Sequence, residues 1–217
     1  MEELNAIQRF SVWVLPVLFA ITVHEVAHGW VAMKLGDRTA QMMGRLTLNP
    51  IKHVDPVGTI LVPGFLVLIG GFIFGWAKPV PITWENLRNP RRDVALVALA
   101  GPMSNFIMAI FWGLVMKISL TFGQTTDSWL YPLALMGGAG ITINLILMVL
   151  NLLPILPLDG GRVISAILPG PLSYKFNRLE PYGLFIILGL LFFGVLSWLL
   201  SPPIKMLRAI IHTITGL

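Results

Sequence analysis

Five apolar stretches follow one another along the chain, each close to the roughly 20 residues that an α-helix needs to cross a bilayer. They cover approximately residues 10–33, 57–76, 94–116, 130–153 and 182–200. The second stretch is broken by the helix-breaking residues Pro63, Gly64, Gly70, Gly71 and Gly75. A shorter apolar tail at 204–217 carries Lys205, Arg208 and His212 after two prolines, and this pattern predicts a helix lying in the membrane interface.

Basic residues in the connections indicate which ends of these stretches share a side of the membrane. The connections after the first, second and fourth stretches are all basic. Five full crossings would place the first two on opposite sides, which conflicts with the positive-inside rule. All three share the cytoplasmic side if the second stretch enters the membrane and returns. The sequence therefore predicts an all-α integral membrane bundle in one domain, 1–217, with four crossings (five if the second stretch spans) and a re-entrant element at about 57–80.

Composition agrees with a lipid environment and narrows the chemistry. Hydrophobic residues make up 56% of the 217 residues and charged residues 12%, whereas a soluble domain has about 25% charged residues. The net charge of +5 is scattered along the chain, so we expect no nucleic-acid partner. Cysteine is absent, and a bound metal would therefore be held by His, Asp or Glu.

The most informative motif is His24-Glu25-Val26-Ala27-His28, inside the first apolar stretch. Histidines at positions i and i+4 share one helical face, where both imidazoles can reach one metal ion. The intervening Glu25 is placed to accept a proton from a water that the metal activates. The alternative is a set of polar residues that bond a neighbouring helix, but three ionisable residues inside an apolar span are costly without a compensating partner.

A third ligand is expected, because a catalytic zinc is commonly held by three side chains with one position open. The candidate is Asp159, which follows the fourth stretch in a segment with Pro154, Pro157, Gly160 and Gly161. The prolines end the helix, and the glycines allow the backbone to approach another element closely. The alternative reading makes Asp159 the N-cap of a following helix at 162–168.

Three segments together resemble the site-2 protease family of intramembrane metalloproteases. His24 to Gly29 is similar to the family's zinc motif, and Leu-Gly-Asp follows it at 35–37. Ala100 to Asn105 resembles the Ala-Gly-Pro-x-x-Asn of the intervening helix, and Asn151 to Arg162 resembles the signature that ends in Leu-Asp-Gly-Gly. The motifs occur in the family's order, and the chain resembles its small bacterial members without PDZ or CBS domains.

The resemblance implies roles for individual residues. His24, His28 and Asp159 would bind one catalytic Zn²⁺, Glu25 would be the general base, and Asn151 would assist near the scissile bond. The implied substrate is the transmembrane segment of another membrane protein, cut in the plasma membrane at a site facing the cytoplasm. A non-enzymatic metal carrier with the same ligands is the alternative, although it has no need of Glu25. A homo-oligomer remains open.

Other polar residues have two interpretations each. Asn151 is either an oxyanion donor or a bridge between helices, and Asn105 and Asn144 are predicted to be helix-packing hydrogen bonders. His53 and Asp55 are expected in a turn, with a metal or gating role as the alternative. Arg162 is expected to pair with a carboxylate or to reach the interface. The segment 70–80 is either a strand edge that captures unwound substrate or a structural hairpin.

Overall fold

The structure, a computed structural model, describes residues 4–61, 78–123 and 128–217. Within those ranges the chain is helical and contains no β-strand. The α-helices are α1 (Ala6–Leu35), α2 (Thr39–Met42), α3 (Pro90–Phe122), α4 (Tyr131–Asn151), α5 (Asp159–Ile167), α6 (Gly170–Asn177), α7 (Gly183–Phe192) and α8 (Val195–Thr215). Short 3₁₀ turns at Pro50–His53, Trp84–Asn86 and Glu180–Tyr182 and a π-helical turn at Pro56–Leu61 join them.

Three of the five predicted stretches are confirmed as helices long and apolar enough to cross a membrane. They correspond to Ile7–Leu35 in α1, Pro90–Phe122 in α3 and Tyr131–Asn151 in α4. The predicted re-entrant or β-hairpin element falls mostly on 62–77, outside the described residues. Its last residues, 78–80, form neither helix nor strand.

Helix α1 begins and ends where local chemistry requires it. The side chain of Asn5 accepts a hydrogen bond from Gln8 N at 2.9 Å, and Gln8 Oε1 accepts one from Asn5 N at 2.9 Å, which is a capping box. At the other end Gly36 has φ 123°, a backbone conformation that residues with a Cβ rarely adopt. The helix therefore stops beside Asp37.

Helices α3 and α4 form an antiparallel pair that relies on glycine. A Cβ at Gly140 would lie 2.1 Å from the Trp112 ring, and one at Gly137 would lie 2.6 Å from Met116 Cβ. Small residues let two helices approach closely where lipid supplies no hydrophobic driving force. Asn105 Nδ2 donates to Asn144 Oδ1 at 2.9 Å between them, so the predicted packing role of these two asparagines is confirmed.

The C-terminal region corrects two boundaries. The predicted stretch 182–200 is not one helix, because α7 ends at Phe192 and α8 starts at Val195, with a bend of 85° between the paired segments. Gly194, with φ 71°, makes the turn. The tail is also not a separate helix from 204, because Pro202 and Pro203 lie inside α8 and the helix continues to Thr215.

The three basic connections meet at one end of the bundle, as their charge predicted. Arg88 N donates to Leu35 O at 3.2 Å, and Lys78 N donates to His53 O at 2.9 Å. The Arg162 guanidinium lies 5.3 Å from the centre of the Trp84 ring. These contacts join the connections after α1, before α3 and after α4, so the flanks of the segment 62–77 lie on the same side.

Candidate metal centre

Three side chains from two distant parts of the sequence converge near this end. His24 Nε2 and His28 Nε2 are 3.0 Å apart, and each lies 3.3 Å from Asp159 Oδ2. The two histidines are 7% exposed. The structure therefore brings together the three residues predicted as metal ligands, with their ligand atoms facing one another.

The outer nitrogens of both imidazoles are held by hydrogen bonds. His28 Nδ1 donates to Val97 O at 2.7 Å, and His24 Nδ1 lies 2.6 Å from Asn105 Oδ1. Asn105 Nδ2 donates to Ala20 O and Asn144 Oδ1, so its oxygen faces His24 as the acceptor. Each ring consequently carries its proton on Nδ1 and presents the Nε2 lone pair inward, the tautomer that second-shell bonds select at metal sites.

This donor set fits a zinc ion. Two nitrogen lone pairs and a carboxylate oxygen point at one another, which is repulsive without a cation between them. Asp159 Oδ2 is buried and has no hydrogen-bond partner among the described residues. Tetrahedral zinc with bonds of about 2.0–2.1 Å separates two ligand atoms by about 3.3–3.4 Å. The observed 3.0, 3.3 and 3.3 Å match that triangle closely.

Gly101 on α3 leaves the space in which the histidines sit. A Cβ there would lie 2.3 Å from His28 Nε2 and 2.6 Å from His24 Nε2. No rotation of a flexible side chain relieves that overlap, because the atoms it meets are the two ligand nitrogens themselves. Gly101 therefore permits α3 to pass directly beneath the candidate metal ligands, with Val97 and Asn105 one turn away on either side.

The segment after α4 delivers Asp159. Helix α4 ends at Asn151, and α5 begins at Asp159 rather than at 162, with Leu158 as its N-cap residue. A Cβ at Gly160 would lie 2.3 Å from Leu152 O, and one at Gly161 would lie 2.6 Å from the Ile155 carbonyl carbon. The two glycines therefore allow the first turn of α5 to fold back against its own connection, and Asp159 occupies that first turn.

Electrostatics keep the Asp159 carboxylate ionised. Its burial opposes ionisation, but a proton on Nε2 of His24 or His28, when either ring is charged, outweighs burial and lowers the pKa of Asp159 to about 2. Its position in the first turn of α5 also favours a negative charge, because backbone N–H groups are unpaired at a helix N-terminus. An ionised carboxylate is the form that binds a metal ion.

Glu25 is held by the segment that precedes α3. Val80 N donates to Glu25 Oε2 at 2.8 Å. Gly29 makes this contact possible, since a Cβ there would lie 2.7 Å from Val80 Cγ1. Arg45 fixes the same segment by donating to Lys78 O at 3.0 Å and to Pro79 O at 3.2 Å. Glu25 is thus oriented beside the candidate metal ligands by a backbone amide.

Asp37 anchors the other end of that segment. Its carboxylate accepts hydrogen bonds from Thr83 N at 2.8 Å, Asn86 Nδ2 at 3.0 Å and Thr39 N at 3.1 Å. Burial opposes its ionisation, but these bonds and the one from the Thr39 hydroxyl prevail and lower the pKa of Asp37. The Leu-Gly-Asp that follows the metal motif thereby ties the end of α1 to the residues covering Glu25.

The remaining predicted residues lie outside the cluster. Asn151, at the end of α4, donates from Nδ2 to Leu147 O at 2.9 Å. The turn interpretation of His53 and Asp55 agrees with the structure: His53 Nε2 bonds Thr47 O at 2.9 Å, and Asp55 Oδ1 accepts from Gly58 N at 2.7 Å. Arg162 pairs with Glu180 at 3.2 Å, which confirms the predicted carboxylate partner.

Two features of the site were missed from the sequence. Asn105 was assigned only to helix packing, yet it also orients His24. The signal was present in its spacing of four residues from Gly101, which places both on the α3 face that meets α1. The contact of Val80 with Glu25 could not be predicted from the sequence. The donor is a backbone amide, and its presence does not depend on the valine side chain.

Comparison with known proteins identifies the family. The sequence model of peptidase family M50 matches residues 12–135, which include the His24-to-His28 motif and all of α3. The chain belongs to this family, the site-2 proteases. It is a zinc metalloprotease, a hydrolase, and this settles the choice between an enzyme and a metal carrier in favour of the enzyme.

Named relatives agree along most of the chain. A protein of Bacillus subtilis (strain 168) named "Putative zinc metalloprotease YwhC" is 39% identical over 193 residues, 88% of this chain and 85% of that protein. "Putative zinc metalloprotease Rip2" of Mycolicibacterium smegmatis is 28% identical over 210 residues, covering 91% and 77% of the two chains. "Zinc metalloprotease MJ0392" of Methanocaldococcus jannaschii is 26% identical over 192 residues, 87% of this chain and 44% of that protein. No solved structure matches the chain significantly.

Proposed function

We propose that this zinc metalloprotease hydrolyses a peptide bond within or near the transmembrane segment of another membrane protein. The observation that carries the proposal is the depth of the ligands in an apolar helix. At 1.5 Å per residue, His28 and His24 lie about 10 and about 16 Å from the end of α1 at Leu35. A site at that depth below the end of a spanning helix is suited to a substrate that is itself in the membrane.

His24, His28 and Asp159 are the proposed zinc ligands. A zinc ion bound there supplies a Lewis acid that polarises the substrate carbonyl and makes a water molecule nucleophilic at neutral pH. Asn105 and Val97 hold the two imidazoles in the metal-binding tautomer. The negative charge of Asp159 compensates part of the ion's charge, and Gly101 leaves the space for the cluster.

Glu25 is the proposed general base. Its carboxylate follows the first ligand directly in sequence, and the amide of Val80 fixes one of its oxygens. It accepts the proton of the attacking water and passes it to the amine that leaves when the peptide bond breaks. Asn151 is the proposed polar assistant near the scissile bond, and this role requires its amide to exchange the bond to Leu147 O for one to the substrate.

The proposed location is the plasma membrane, with the active site toward the cytoplasm. The connections that meet near the ligands are the three basic ones, and positive charge marks the cytoplasmic side. The membrane partners are the surrounding bilayer and a single-span protein substrate, and we expect no nucleic acid partner.

The deciding experiment compares the detergent-purified wild type with Glu25→Gln on a single-span membrane substrate, with bound zinc assayed in both. We expect the variant to keep stoichiometric zinc while cleavage falls by roughly 10²–10⁴-fold, the usual contribution of a general base. Glu85→Gln is the matched control, because Glu85 is an exposed carboxylate in the 3₁₀ turn before α3.

Mass spectrometry of the products then locates the cut. A cut within or next to the substrate's transmembrane segment supports the proposal. Cleavage confined to soluble regions contradicts the intramembrane substrate, and equal activity of wild type and Glu25→Gln contradicts the base. Absence of zinc from folded wild type that was never exposed to chelator would overturn the ligand assignment.

A further inference from the structure

Helix α8 lies alongside the second half of α4. Near the start of α8, Leu196 packs in one cluster with Leu153, just beyond the end of α4. In its later part, Ile211 packs against Trp112 and Ile141. Beyond its end, the Gly216 carbonyl accepts a hydrogen bond from Lys117, one turn before the end of α3. Helix α8 therefore runs from the end of α4 at Asn151 to beyond the middle of α4, and its last turn lies against α3.

Three cationic or titratable side chains lie on one face of this helix. Lys205, Arg208 and His212 have the spacing i, i+3 and i+7, which aligns them along α8. The packed face of α8, with Ile204, Leu207 and Ile211, is offset from them by one residue, about 100° around the helix. We call Lys205, Arg208 and His212 the cationic face; it flanks the packed face and is directed away from the helix-packing core.

The cationic face lies at mid-depth. Lys205 precedes Arg208 by about one turn of α8, toward the start of that helix. Arg208 Nη2 donates to Thr142 Oγ1 at 2.9 Å, and Thr142 lies near the middle of α4, about 16 Å from its start. The Arg208 guanidinium therefore lies level with the middle of the candidate span formed by α4.

The described part of the chain offers this face no carboxylate. The ion pairs there join Asp159 to the two metal-site histidines and Arg162 to Glu180. Lys205 and Arg208 are exposed at the protein surface. Ionisable residues within a membrane helix are costly and commonly face a partner or a pathway.

We propose that the cationic face is a docking surface for a transmembrane helix of another protein that carries an Asp or Glu near its midpoint. Charge complementarity at mid-depth selects this occupant. Lipid phosphates lie at the edge of the hydrocarbon core, about 15 Å from its centre. A second copy of this chain is also unsuited, because the acidic residues that the structure describes lie near helix ends or in connections, apart from Glu25 at the metal site.

The test uses the full-length protein in phosphatidylcholine vesicles and a synthetic single-span peptide of leucine and alanine with one central Glu. Its matched partner has Gln at the same position. Energy transfer from the protein's tryptophans to a dansyl group on the peptide reports association. We expect the Glu peptide to bind about three- to twenty-fold more tightly than the Gln peptide, the range for polar contacts between membrane helices.

The variant Lys205→Gln/Arg208→Gln is expected to lose that preference, while Lys205→Arg keeps it. Lys175→Gln on α6 removes an exposed cation elsewhere and is expected to change nothing. Unchanged zinc content and circular dichroism show that the double variant is folded. Equal binding of the two peptides to wild type, or a preference that survives in the double variant, overturns the proposal. The proposal is also overturned if the wild type shows no preference between the two peptides and its cationic face retains phosphatidylglycerol instead. The face would then be a lipid-binding surface.

Discussion

The metal centre and the cationic face of α8 both place ionisable side chains in apolar helices, but the surrounding protein treats them differently. At the metal centre each imidazole is buried, each outer nitrogen has an acceptor, and Asn105 is itself held by Asn144. At the cationic face, Arg208 has one neutral acceptor, Thr142, and no carboxylate in the described residues.

The difference separates two uses of polarity in lipid. A fully bonded network costs little to keep and fixes geometry to within the tolerance that metal binding needs. A face with incomplete bonding is stabilised only when something else supplies the missing charge. The first arrangement is therefore suited to chemistry and the second to recognition. Substitutions in the two regions are expected to differ in the size of their effects and in the property that they change.

The largest effect is expected from Gly101→Ala. The new methyl carbon would lie 2.3 Å from His28 Nε2, so the ligand triangle must open. We expect zinc affinity to fall by more than about 100-fold, beyond the usual effect of losing a second-shell partner. The two measurements are the zinc content after dialysis and the rate of substrate cleavage. The control is Gly138→Ala on α4, whose Cβ would meet only Met116 Sδ at 4.0 Å. Zinc retention by Gly101→Ala equal to wild type would contradict the packing account.

A smaller loss is expected from Asn105→Leu, which removes the acceptor of His24 Nδ1 without touching a ligand. Loss of a second-shell hydrogen bond commonly weakens metal binding by 10- to 100-fold, and we expect about that range from competition with a zinc chelator. Asn105→Asp keeps an acceptor for His24 and should bind zinc more tightly than Asn105→Leu.

Thr121→Ala, near the end of α3, serves as the control for Asn105. Its hydroxyl bonds only the local Lys117 carbonyl, so zinc affinity should not change. If Asn105→Asp is as weak as Asn105→Leu, the role of Asn105 is helix packing rather than orientation of the imidazole.

The smallest effect is expected from Thr142→Val, which removes the Arg208 acceptor on α4. Polar contacts between membrane helices contribute about 0.6 kcal/mol on average and at most about 1.7 kcal/mol. We expect a loss of unfolding free energy in that range, measured by denaturation in detergent, with zinc content unchanged. A loss of zinc affinity comparable to that of Asn105→Leu would remove the contrast between the two regions.

Much of the metal centre could be predicted from the sequence because helical periodicity is local. Spacing alone put His24 and His28 on one face, and the charge of the connections put Asp159 at the same end as those histidines. The helices α1, α3 and α4 were predictable because apolar length is a strong signal. The prediction for the C-terminal region was wrong, because proline was read as a helix end although α8 contains Pro202 and Pro203.

The sequence by itself predicted the chemistry proposed for this protein: which residues can hold a metal, which one is suited to accept a proton, and which helices are apolar enough for lipid. Only the tertiary structure decided how those residues are supported. The bond of Val80 to Glu25 depends on a backbone amide, and the role of Gly101 depends on an absent side chain beneath another helix. The depth of Arg208 depends on α8 packing beside Thr142. None of these has a local signature, because each arises from contact between segments far apart in the chain.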